Sequence, residues 1–196
     1  MGMSSHLALV PQEPAPDPGV DAAVVLRPER PCDHATAQAL IERAFGPGRF
    51  AKTAERLREG NTARLDLSVC AFGGGGLVGV VRLWPVVVGE TPAVFLGPIA
   101  VESQWRKHGV GARLVNAAVS AATGTGERLI LLVGDPPFFS PLGFEVVPGG
   151  CLTLPGPVDP RRIMWRALVP GAGDDVRGLV HVPRWQPELS ARAAWV

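Results

Sequence analysis

The sequence predicts an α/β fold: a mixed sheet in which an antiparallel meander leads into a parallel strand pair, with helices against its faces. Three observations carry this reading. Residues 65–88 hold an alternating run, LDLSVCAF, and a second strand-like run, LVGVVRLWPVVV, joined by Gly73 to Gly76, which is the pattern of a hairpin. Residues 93–101, AVFLGPIAV, contain no ionisable side chain, as expected of a central strand covered on both faces. A helical stretch over 109–123 then separates that run from a second apolar run, RLILLVG, and strand–helix–strand between apolar strands is a parallel crossover.

The remaining elements follow in order. Residues 1–21 include PQEPAPDPG and are expected to form a disordered, proline-rich tail ahead of a single domain over 22–196. Residues 23–27 read as a strand stopped by Pro28. A helix over 32–45 places Ala37, Leu40, Ile41, Ala44 and Phe45 on one stripe, with Asp33 as N-cap and Gly46-Pro47-Gly48 as its end. A second, more polar helix is expected over 50–60. Pro98 has no N–H to donate, so a bulge or a splayed strand is expected at Gly97-Pro98. In the long helix, Arg113, Asn116 and Ser120 fall on the solvent side, and Val110, Leu114, Ala118 and Ala121 on the core side. Beyond it, DPPFFSPLGFEVV reads as a short turn or helix and a strand, CLTLPGPVDP as a loop and RIMWRALV as a strand. The stretch after about residue 171 shows no period.

Composition narrows the function classes. A net charge of +1 on 196 residues argues against a broad nucleic-acid-binding face. No apolar run approaches the roughly 18 residues that span a bilayer, and the N-terminus lacks the basic start and apolar core of a signal peptide. A cytoplasmic protein with no membrane partner is expected. Cys32, Cys70 and Cys151 are scattered, as are the four histidines, so neither a disulfide framework nor a metal site is expected. The chain contains no tyrosine.

The chemistry concentrates at Arg106-Lys107-His108-Gly109-Val110-Gly111, where a basic turn opens the long helix. A dinucleotide fingerprint fails because no third glycine follows at the required spacing. GGGGLVG fails as a P-loop because no Lys-Ser/Thr follows and it leads into a strand. A helix start exposes unpaired N–H groups and a positive dipole end, so the segment suits a phosphate-sized anion. Taken alone, it reads equally well as a basic loop with glycines for chain reversal.

With its surroundings, the segment resembles the acetyl-CoA signature of the GCN5-related N-acetyltransferases: an apolar strand, here LGPIAV, then Arg-x-x-Gly-x-Gly opening a long helix. The later LLVGDPPFFSPLGFEVVP and PGPVDPRRIMWRALVPGA resemble that family's bacterial YhbS-like branch, and the likeness runs from about residue 24 to 168. The resemblance implies acetyl-CoA as co-substrate, no metal, and a small-molecule or peptide amine as acceptor, and it is compatible with a homodimer. It implies that Ile99, Ala100 and Val101 pair with the pantetheine arm, that one of their amides polarises the thioester carbonyl, and that Arg106, Lys107, His108, Gly109, Val110, Gly111 and Ala112 wrap the pyrophosphate. The strand at 131–134 would splay from GPIAV to open the cofactor slot. His108 would serve at the phosphates and not as a base.

The family usually places a tyrosine four residues before the Gly-Phe pair as acid for the departing thiolate; here that residue is Phe139, which would wall the slot. Ser140, next to it, is a poorer candidate acid. Glu102, just past the apolar strand, and Glu90, just before it, are the candidate bases. The acceptor is expected between the first two helices near Phe45 to Phe50 and the loop at 148–162, with Arg49, Asp159, Arg161 and Arg162 at hand. Trp84 and Trp165 are expected in the core. The alternative to an acetyltransferase is an acyl-CoA-binding sensor that needs no acid at Phe139.

Overall fold

The central strands are buried on both faces because helices cover the sheet on either side. The computed structural model describes residues 24–48 and 53–183. The expected tail, Arg49, Phe50 and the chain beyond residue 183 lie outside the described residues. The strands are β1 (Val25–Pro28), β2 (Val69–Gly73), β3 (Gly76–Val88), β4 (Thr91–Val101), β5 (Leu129–Val133), β6 (Glu145–Val146), β7 (Leu152–Thr153), β8 (Ile163–Ala167) and β9 (Gly178–His181). The helices are α1 (His34–Phe45), α2 (Thr53–Arg56), α3 (Val110–Gly124) and α4 (Pro136–Phe139). The sheet runs β1-β2-β3-β4-β5-β8-β6, with β9 pairing β3 and β7 pairing β9. β1 to β4 form the antiparallel meander, β4–β5 is parallel, and the short β7–β9 contact is parallel as well.

On one face, Val110, Leu114, Val115, Ala118 and Ala122 of α3 pack on Val69, Ala71, Val81, Leu83, Val94 and Val101. On the other, Ala37, Leu40 and Ile41 of α1 pack on Cys70, Val80 and Ala100. Neighbouring residues such as Val80 and Val81, or Ala100 and Val101, thus belong to opposite cores, as the period of a strand demands. The β2–β3 hairpin turns at Gly74-Gly75, whose φ values of 57° and 83° only glycine adopts freely.

Several expected boundaries move. β1 includes Pro28, which an edge strand tolerates because its N–H side need not pair. Asp33 does not cap α1: its carboxylate accepts from the Arg30 amide (2.8 Å) and the Arg27 guanidinium (2.6 and 2.8 Å), closing the 3-10 turn Pro31–Asp33 instead. β2 begins at Val69, because the Leu67 and Ser68 amides turn back to the Arg64 carbonyl. The second helix is a single turn, Thr53–Arg56. Residues 152–153, expected as loop, form β7, and β9 forms in the stretch without a period.

At Gly97-Pro98 the β3–β4 register passes from Val81↔Ile99 to Leu83↔Leu96, so Arg82 alone faces two residues, the expected bulge. Trp84 Nε1 donates to the Gly97 carbonyl at 2.7 Å, and Gly97 takes a φ of 132°. Arg82 and Glu29 are both only 3% exposed and form a bidentate pair with bonds of 2.7 to 3.2 Å. Trp84 is half-buried and not sealed in the core. Phe139 of α4 is buried edge-on to Phe144 and lies over Gly134, where a Cβ would overlap its ring and stand 2.7 Å from Leu132 Cδ1.

Two predictions follow from this packing. Arg27 holds the Asp33 carboxyl, and Arg64 the Asp66 carboxyl, below the usual carboxylate range. In the unfolded chain both titrate at about 3.9. The stability they contribute is therefore complete above that value and is lost as pH falls through it towards the lower folded values. Urea unfolding from about pH 5 to about pH 3 should show a falling midpoint, and an Asp33→Asn/Asp66→Asn variant a smaller fall. Gly134→Ala should cost about 1–3 kcal/mol by overpacking. Most of that cost should vanish in a Phe139→Leu background, as a double-mutant cycle of denaturation free energies would reveal.

Candidate functional site

The first turn of α3 is built to leave its amides open. The 3-10 turn Ser103–His108 ends at Gly109, whose left-handed backbone (φ 71°) reverses the chain into the helix. The Gly109 carbonyl accepts from the Arg113 amide, the first intrahelical bond, and no side chain caps the helix. The N–H groups of Val110, Gly111 and Ala112 are thus the uncapped donors at the positive end of a fifteen-residue helix. Nothing lies within 4 Å of where a Gly109 Cβ would stand, and a Gly111 Cβ would stand 3.4 Å from Phe138 Cζ. Arg106, Lys107 and His108 are exposed around this turn.

The turn is fastened from beneath. Trp105 is buried under the hairpin turn, where a Gly73 Cβ would stand 2.9 Å from its Cη2. Its ring lies edge-on to His108, with centroids 6.2 Å apart. Arg106 Nε donates to the Val101 carbonyl at 3.0 Å, tying the turn to the end of β4.

β4 supplies the second half of the site. Its parallel pairing with β5 covers only Val94↔Ile130 and Phe95↔Leu131, after which both strands continue unpaired with each other. The Glu102 amide donates to the Val78 carbonyl at 2.9 Å, which sets the alternation of the β3–β4 ladder. Ala100, level with Val80, turns its backbone to β3, and Ile99 and Val101 turn theirs to the edge that β5 has left. Of the three strand residues expected to meet a ligand, two face the open edge. Phe138 stands beside Gly111, and Phe139 is packed in the core behind it.

The candidate proton carriers are placed unevenly. The Glu102 carboxylate lies just past Val101 but is engaged by Arg43 Nη2 at 2.6 Å. Glu90 sits in the β3–β4 turn, roughly 30 Å from Ile99 by the rise of the strand, too far to act as a base for chemistry at Ile99–Val101. The exposed Ser140 hydroxyl has no hydrogen-bond partner among the described residues. Cys70 is inert: burial pushes its thiol up to about 12.

Two concavities flank β4. One of about 440 Å³ lies between Glu90–Pro92 and Gly126–Arg128, at the far end from the α3 turn. The other, of about 140 Å³, lies beside Pro98 between α1 and the α2 segment. The late loop shapes this side by latching α2: Thr53 Oγ1 donates to the Pro157 carbonyl and Arg56 Nη1 to that of Pro155. The arginines expected to greet an acceptor there are engaged elsewhere. Arg161 pairs with Asp159 at 2.8 Å, and Arg162 Nε donates to the Gly134 carbonyl at 3.1 Å. Among the described residues no cluster of His, Cys, Asp or Glu could hold a metal ion, and no helix is long and apolar enough to cross a membrane.

Known proteins share this arrangement. The chain is 29% identical over 159 residues to the uncharacterised N-acetyltransferase YhbS of Escherichia coli K12, covering 80% of this chain and 95% of that one. The crystal structure of Escherichia coli YhbS in complex with CoA superposes with a TM-score of 0.71 at 28% identity, over 87% of this chain and 92% of that one. A GNAT acetyltransferase from Brucella melitensis, crystallised with acetyl-CoA, shares the fold with a TM-score of 0.61 at 23% identity, over 83% and 97% of the two chains. The sequence profile of the acetyltransferase (GNAT) family matches residues 35–144, over half of the 196. With its parted β4–β5 edge and uncapped α3 turn, this chain belongs to the GNAT acetyltransferase family.

Proposed function

We propose that this chain transfers an acetyl group from acetyl-CoA to a primary amine by direct attack within a ternary complex. The observation that carries the reading is the alignment of two unpaired sets of backbone donors, the edge at Ile99 and Val101 and the α3 turn at Val110 to Ala112. Bound acetyl-CoA supplies a thioester whose carbonyl carbon the amine attacks, with the C–S bond breaking as the amide forms.

The chain's own residues then have distinct tasks. The Val110, Gly111 and Ala112 amides hold the pyrophosphate, Gly109 leaves room for it, and Arg106, Lys107 and His108 add positive charge around it. Ile99 and Val101 hold the pantetheine arm as an added strand would, and one of their N–H groups donates to the carbonyl oxygen as charge develops there. Ala100 serves by fixing the edge to β3. Phe138 borders the slot and Phe139 backs it. Glu102 has a role in deprotonating the amine only if Arg43 releases it. Three unpaired thiols support a reducing, cytoplasmic setting.

One observation favours a second reading, an acyl-CoA-binding module. Phe139 brings no hydroxyl, and Ser140 is exposed with no activating partner among the described residues.

Thermal unfolding separates the cofactor reading from its rivals. Acetyl-CoA at about 100 times its Kd should add about 2.7 kcal/mol, a rise of about 5–10 °C for a chain of this size. ATP and NAD should add none, and Gly111→Trp, which fills the gap against Phe138, should abolish the rise. No rise in the unaltered protein would sink the proposal. Steady-state kinetics then separate the two readings. Phe139→Tyr should leave acetyl-CoA affinity unchanged and raise kcat, towards the roughly 100-fold that a positioned acid contributes. Tight acetyl-CoA binding without turnover in either form would favour the binding module.

A further inference from the structure

We propose that the pocket beside Pro98 admits a small cationic amine lacking a carboxylate, and that Glu59 is the residue that selects it. The inference rests on the acetyl-transfer reading, since it takes this pocket as the acceptor's seat. Position supports that use. Pro98 lines the pocket and directly precedes Ile99, whose backbone faces the open edge of β4, so an amine lodged there adjoins the thioester seat. Size limits what enters. About 140 Å³ lies well below the roughly 300–1,000 Å³ of pockets that enclose drug-sized ligands, so the concavity suits a short arm. Ile41, Trp84 and Pro98 give it apolar wall for methylene groups. Trp84 is fixed in place by its bond to the Gly97 carbonyl.

Charge decides the class of amine. Among the described residues, four charged side chains line the pocket: Glu55, Arg58, Glu59 and Arg82. Arg82 is neutralised by Glu29 in the bidentate pair and also donates to Gln38 Oε1 at 3.0 Å. Arg58 is paired with Glu55 at 2.8 Å, both side chains being about 15% exposed, and its guanidinium lies 5.9 Å from the Phe95 ring centroid. Each arginine is matched by a carboxylate. Glu59 is exposed, and among the described residues no cation stands within ion-pair distance of it. Counting Glu29, which matches Arg82 from outside the lining, the described residues set three carboxylates against two guanidinium groups here. An acceptor with a second ammonium group gains from Glu59. One with a carboxylate meets like charge and finds both guanidinium groups already paired.

The test compares 1,4-diaminobutane with ornithine, which is the same diamine bearing a carboxylate. Calorimetry on the CoA-loaded protein should show the diamine binding about tenfold more tightly than ornithine, and kcat/KM with acetyl-CoA should follow the same order. Glu59→Gln should remove most of that preference, and Glu59→Arg should reverse it, with acetyl-CoA affinity unchanged in both. Ornithine binding as well as or better than the diamine, a preference that survives in Glu59→Gln, or no diamine binding to the CoA-loaded protein would each overturn the inference. Those outcomes leave the cofactor reading standing if acetyl-CoA still raises the unfolding temperature. Loss of that rise marks failure of the transfer reading itself.

Discussion

Everything at the site depends on how the backbone of β4 is satisfied. A buried strand has to pair its N–H and C=O groups on both edges, and an orphaned group costs about as much as a lost hydrogen bond. β4 meets this demand along β3 for nearly its whole length, but along β5 at only two positions. From Leu96 onward β5 no longer pairs with it, and side chains take up two of its carbonyls, Trp84 that of Gly97 and Arg106 that of Val101. An edge of this kind inside a helix-covered sheet is stable only if something else completes it. The bulge at Gly97-Pro98 lies where the pairing with β5 stops, and Pro98 removes one donor that would otherwise need a partner.

The opposite edge of the same region is held by a buried ion pair. Arg82 is the lone residue facing the bulge, and its guanidinium is matched to Glu29 in bidentate geometry, with Gln38 taking a third bond. Removing two charges from water costs several kcal/mol per ion, so such a pair contributes little net stability. What it does contribute is position. Glu29 follows β1 and Gln38 lies on α1, so Arg82 joins β1, α1 and β3 at one point. The α1 stripe of Ala37, Leu40 and Ile41 then packs in the register that leaves a pocket beside Pro98.

Much of this was legible in the sequence, and the rest was hidden for identifiable reasons. β4 could be read because nine consecutive residues without a charge leave few alternatives to a covered strand, and α3 because Arg113, Asn116 and Ser120 recur at helical spacing. The bulge could be read because proline lacks a donor. Asp33 looked like a helix cap because it precedes an apolar stripe, but Arg27 on the neighbouring strand competes for the same carboxylate. Glu29 and Arg82 lie 53 residues apart, and no local period links them. β9 is four residues long and pairs with β3 at only two positions, so it is fixed by tertiary contact and not by its own pattern. Glu90 and Glu102 are equivalent as flanks of one apolar run, and only the extended length of β4 separates them. That Glu59 has no cation at ion-pair distance among the described residues emerges only once Arg58 and Arg82 have been matched with Glu55 and Glu29.

On the transfer reading, the missing tyrosine changes which part of the frame matters most. The Phe139 ring is wedged between Phe138, Phe144 and Gly134. A thiolate leaving here meets no phenol placed to protonate it. The rate then has to come from orientation and from backbone dipoles aimed at the carbonyl, terms that reward a rigid site. The observed fastenings serve that end: Trp105 against Gly73 under the turn, Arg106 on the Val101 carbonyl at its edge, and Arg82 on Glu29 behind the bulge. None of these groups needs to titrate. Each holds a stretch of backbone to which that reading assigns the thioester and the pyrophosphate, and a chain with few side chains fit for acid–base chemistry at this point places its demands on backbone geometry instead.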